Sequence, residues 1–156
     1  MLQTPGHTPD SLTLYDEHER WIFVGDTLYE RVKEMPWVEL LDVPIILVAQ
    51  SHWGNYVASS EKLREFVDGK QKRGEEKAVR LSAGHSTSGV KAKRFIAEAI
   101  TFIARVAQGD VPVIAELPAD EVAPGGSLGD ETFLYFQQDG DPLFSLLAPE
   151  RFRQDF

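Results

Sequence analysis

The sequence predicts an α+β protein: a mixed β-sheet with helices on one face, followed by a C-terminal β-hairpin. Three observations carry this. Short runs rich in β-forming residues alternate with two segments of helical periodicity. The helical stripe over 88–108 is long and strongly one-sided. Two apolar runs near the C-terminus flank a glycine-bearing turn.

The first elements are strands at 11–16 (SLTLYD) and 20–24 (RWIFV), joined by the polar turn Glu17-His18-Glu19. Gly25-Asp26 follows where the second strand ends. Pro36 and Pro44 interrupt 28–44, which reads as loop with one helical turn, and 45–48 reads as a short strand or buried turn. Over 55–68, Tyr56, Leu63, Phe66 and Val67 recur on one helical face, with Gly69 as a stop. Residues 70–77 form a charged loop, and 78–83 (AVRLSA) alternate as a strand running into Gly84-His85. Ser88 offers an N-cap for a helix reaching Gln108, with Phe95, Ile96, Ala99, Ile100, Phe102, Ile103 and Val106 as its apolar stripe and Gly109 after it. Residues 110–130 turn to Pro, Gly, Ala and acid and read as a linker. The runs 133–136 and 143–147 then make the hairpin. The division expected is 1–109 as one domain and 110–156 as linker and hairpin extension that covers the sheet.

Composition narrows function. With 156 residues and 42% hydrophobic content, the chain can bury one ordinary core. A net charge of −9 repels phosphate backbones, so no nucleic-acid partner is expected. The absence of cysteine removes disulfides and thiolate metal sites and fits a cytoplasmic location. No apolar run is long enough to cross a bilayer, so no membrane association is expected.

Three polar residues stand where strands run out into loops, each preceded by glycine: His7 in TPGHTPDS, Asp26 in VGDTLY and His85 in SAGHS. A glycine there lets the backbone turn tightly. Imidazole and carboxylate suit zinc, iron or manganese, and such an ion lowers the pKa of bound water towards neutrality. Either motif alone is more readily a turn; their order, with strands between them, favours a metal site. His18 reads as solvated, His52 as a surface or capping residue, and Trp21, Trp37 and Trp53 as core or interface filling.

T-P-G-H-T-x-x-S, a hairpin ending in V-G-D-x-L-Y, a helix, and then strand–G-H resemble the later metal-binding motifs of the metallo-β-lactamase superfamily, over roughly residues 2–108. The resemblance implies half of an αββα sandwich and a metal-dependent hydrolase acting on an ester, amide, lactone or thioester. It also implies one or two zinc ions, with iron or manganese as substitutes. His7 would bind one metal, Asp26 would bridge both and be the catalytic residue, and His85 would bind the second. Thr8 and Ser11 would support the His7 loop, and Tyr29 would lie near the pocket.

The family's H-x-H-x-D-H motif is missing: the four histidines are His7, His18, His52 and His85. The sequence therefore reads as starting in mid-fold with an incomplete metal site. The alternative is a non-catalytic half-domain that binds at most one metal. Either way the uncovered sheet face is expected to associate with a second copy or with a separate N-terminal half.

Overall fold

The computed structural model describes residues 1–31, 45–48, 50–71, 77–85, 87–122, 130–140 and 143–155. The expected loop at 28–44 and Trp37 fall largely or wholly outside these residues, as does much of the 70–77 loop.

The α+β class holds, with the strands divided between two sheets rather than one. The first contains β1 (Leu2–Gln3), β2 (Leu12–Asp16), β3 (Trp21–Phe23), β5 (Arg80–Ser82) and β6 (Val90–Lys91), in the order β1-β2-β3-β5-β6. β2 and β3 form the expected hairpin, pairing Leu14 with Phe23 and Asp16 with Trp21. β3 and β5 run parallel, Ile22 beside Leu81. A parallel pair needs a long crossover, and α1 (Trp53–Lys70) lies within it. Side-chain alternation puts Thr13, Ile22 and Leu81 in the core. It leaves Leu12, Leu14 and Phe23 exposed on the opposite face.

α2 (Ala92–Ala107) buries Phe95, Ile96, Ala99, Phe102, Ile103 and Val106, the stripe read from the sequence except for Ile100, which is partly buried against the core. It begins later than expected. Val90 and Lys91 pair with Leu81 and Arg80 as β6, so Lys91, not Ser88, precedes the first turn. Gly109, at φ 73°, follows the helix in the left-handed conformation favoured at this position.

The C-terminal hairpin, β8 (Thr132–Gln137) and β9 (Ser145–Pro149), is the centre of the second sheet. β4 (Ile45–Ile46) pairs parallel with β9, and β7 (Ala115–Pro118) pairs antiparallel with β8. The stretch read as a linker thus contains β7 and a single helical turn, α3 (Ala119–Val122). Its alternating apolar residues, Ala115 and Leu117, pack with Phe133, Tyr135 and Leu147 in a small cluster. The other face of this sheet joins the main core: Phe144 meets Phe95 and Phe102 at ring-centroid distances of 5.1 and 6.3 Å. A 3-10 helix, Glu150–Asp155, ends the described chain.

Candidate metal centre

Helix α1 organises two of the three loops that carry the candidate ligands. The His7 loop lies across its N-terminal end. Gly6, at φ 144°, brings the backbone so close that a Cβ there would stand 2.3 Å from the Tyr56 Cα. His52 caps α1 by accepting from the Asn55 N–H, and its own N–H donates to the Gly6 carbonyl at 3.0 Å. The Ser51 and Ser59 hydroxyls donate to the His7 and Pro5 carbonyls, each at 2.6 Å. Inside the loop, the Thr8 N–H donates to the Ser11 hydroxyl at 3.0 Å, and the Thr8 hydroxyl meets Asp10 and Ser11. Thr8 and Ser11 therefore support the loop. Tyr56 reaches further, donating its buried hydroxyl to the Thr27 carbonyl beside Asp26 at 2.8 Å.

The Asp26 and His85 loops are joined directly. The Gly84 N–H donates to the Gly25 carbonyl at 2.8 Å, and the Glu30 N–H donates to the Thr87 hydroxyl at 2.6 Å. The Asp26 carboxylate lies over Gly84, where a Cβ would come within 1.9 Å of Oδ1. His85 Nε2 stands 3.6 Å from Asp26 Oδ1, and its backbone takes φ 60°, uncommon outside glycine and concentrated at functional loops. Tyr29 packs against the His85 ring at 5.0 Å. Burial raises the Tyr29 hydroxyl pKa well above its ordinary value, so it stays protonated.

His7 belongs to the same electrostatic neighbourhood. Burial lowers its pKa below the ordinary imidazole value; Asp26 and hydrogen bonding at the Ile46 backbone oppose this, and His85 adds to the lowering. The neutral ring is the form that binds a metal. Its Nδ1 is buried with no hydrogen-bond partner among the described residues.

The donor set suits a divalent zinc-like ion in chemistry. Its spacing is less complete. Asp26 and His85 form a close pair, but among the described residues no three His, Cys, Asp or Glu side chains are grouped closely enough to hold a metal. The described residues alone do not close a metal centre.

A family model for the metallo-beta-lactamase superfamily matches residues 1–85 of the 156. The chain belongs to the metallo-beta-lactamase superfamily. The match spans the His7, Asp26 and His85 motifs of this superfamily member and ends at the last of them. A solved metallo-beta-lactamase family protein from Thermus thermophilus is similar at 22% identity and a TM-score of 0.45, covering 69% of this chain. This chain spans 31% of that protein's length. No curated protein matches.

The other polar residues fall where the sequence placed them. The His18 side chain is 93% exposed, so it is solvated. His52 is the helix cap, and Trp53 is buried while Trp21 is half-buried with its indole N–H on the Ser82 hydroxyl. No described helix is long and apolar enough to cross a membrane. Sequence reasoning missed Ser51, Ser59, Tyr56 and Thr87 as supports of the site. None of the four was legible, because their partners lie 29 to 57 residues away.

Proposed function

We propose that this chain contributes His7, Asp26 and His85 to the metal centre of a metal-dependent hydrolase, and that hydrolysis requires further metal donors beyond these three. The observation that supports this most is the Asp26–His85 pair, 3.6 Å apart, with the Asp26 carboxylate seated over Gly84 where a larger residue would displace it. Zinc is the ion the donors favour, with iron or manganese as substitutes. A divalent ion bound there would supply a hydroxide near neutral pH. The chain's own share is to present a neutral imidazole at His7 and a carboxylate at Asp26 and to hold their loops on α1. Esters, amides, lactones and thioesters are the substrate class.

A second reading is a half-domain that binds one ion without catalysis. It draws support from the lack of a closed three-ligand group among the described residues. Hydrolysis assays on thioester, lactone and ester substrates, with and without a chelator, separate the two. Chelator-sensitive turnover that disappears in Asp26→Asn supports the hydrolase. One bound zinc with no turnover supports the half-domain. Turnover indifferent to both chelator and substitution rejects both.

A further inference from the structure

We propose that Arg151, in the C-terminal 3-10 helix, is a positioning residue for His7, acting through the Val48–Ser51 turn. This rests on the reading of His7 as a metal ligand. The turn connects β4 to α1, and its Ser51 N–H donates to the Val48 carbonyl at 2.8 Å. Ser51 is buried, and its hydroxyl grips the His7 carbonyl. Nothing else in the turn reaches the His7 loop except the neighbouring His52 N–H on Gly6, among the described contacts. The turn is therefore one hold on the His7 loop, beside Ser59 and Tyr56 of α1, and the one that grips His7 through its own carbonyl.

Arg151 holds the turn from the opposite end of the chain. One guanidinium nitrogen donates to both the Val48 and Ser51 carbonyls, each at 3.3 Å. The other nitrogen engages both carboxylate oxygens of Glu131, just before β8. The guanidinium also lies 4.6 Å from the centre of the Phe152 ring, which packs against Trp53 in the first turn of α1. A rigid planar fork can satisfy a carboxylate and two carbonyls together; a lysine ammonium, with a single donor centre, cannot span both sides. The outcome is a chain of contacts from Glu131 through Arg151 and Ser51 to the His7 backbone. The C-terminal segment then has a role beyond covering a sheet.

The test uses the full chain with Arg151→Ala, Arg151→Lys and Ser51→Ala, read by zinc titration calorimetry and by amide hydrogen exchange. Loss of a group that orients a metal ligand weakens binding roughly 10–100-fold. Arg151→Ala is expected to weaken zinc binding at least about tenfold and to speed exchange of the Gly6 and His52 amides, leaving α2 amides unchanged. Arg151→Lys should fall between, and Ser51→Ala should reproduce the effect with Arg151 intact. Unchanged exchange at Gly6 and His52 in both alanine variants would overturn the proposal. So would acceleration spread equally over α2, which marks a loss of general stability. If the unsubstituted chain binds no zinc, the metal reading fails, while the exchange comparison still decides whether Arg151 positions the His7 loop.

Discussion

Two residues show how local chemistry constrains the site. Gly84 is required by proximity: a methyl group there would collide with the Asp26 carboxylate, not with backbone of another element. The carboxylate can swing away, so Gly84→Ala is expected to leave stability within about 1 kcal/mol of the parent, as for changes that avoid the core. It should nonetheless displace Asp26 from His85 and weaken zinc binding; calorimetry and thermal unfolding together check both halves. His7 has a lowered pKa when folded. The unfolded chain therefore binds its proton more readily, and stability rises with pH across that interval. In the metal-free protein this contribution is complete above about pH 6.5, the ordinary imidazole value, and is lost as pH falls from there towards the lowered folded pKa. Denaturant unfolding of the parent and His7→Gln at pH 7.5 and 5.5 measures it. The parent should lose more stability than the variant on acidification.

At the scale of elements, the sequence was most legible where one element's pattern suffices. The stripe of α2, the β2–β3 hairpin and the β8–β9 hairpin all follow from periodicity and turn residues close together in the chain. Two features were illegible for the same reason in reverse. β6 is two residues long and exists only because β5 lies beside it. β7 looked like linker because Pro112, Pro118 and neighbouring acids mask an alternation that gains meaning only against β8. The loops that carry His7, Asp26 and His85 were readable, since each places the residue directly after a glycine beyond a strand. Their supports on α1, and Arg151 most of all, act through contacts distant in sequence. The packing of the C-terminal hairpin on α2 yields a direct prediction. Phe144 is fully buried between Phe95 and Phe102. Phe144→Ala should cost about 3–5 kcal/mol of unfolding free energy, measured by chemical denaturation. A cost under about 1 kcal/mol would mean that the hairpin does not share the main core.

At the scale of the whole molecule, the first sheet buries Thr13, Ile22 and Leu81 on one face among the described residues. Its other face exposes Leu12, Leu14 and Phe23, with Leu14 and Phe23 paired across β2 and β3. Trp21 extends the apolar surface, its ring stacked 6.3 Å from that of Phe23. Contiguous exposed apolar surface on a sheet favours association, and this face predicts that the isolated chain self-associates as concentration rises. Sedimentation velocity should show mass increasing with concentration, and Leu14→Thr with Phe23→Thr should suppress it while keeping β-propensity. A single monomeric species at every concentration would contradict the expectation.

His7, Asp26 and His85, on three loops distant in sequence, are proposed to serve one metal centre that further donors complete. Titration with Co2+, followed by its visible absorption, tests this most directly because the bands report which side chains surround the metal. The parent chain should develop bands that saturate at one ion, and Asp26→Asn and His85→Ala should each abolish or strongly shift them, with His7→Ala weakening binding. An identical spectrum and affinity in the chain lacking all three side chains would contradict the claim.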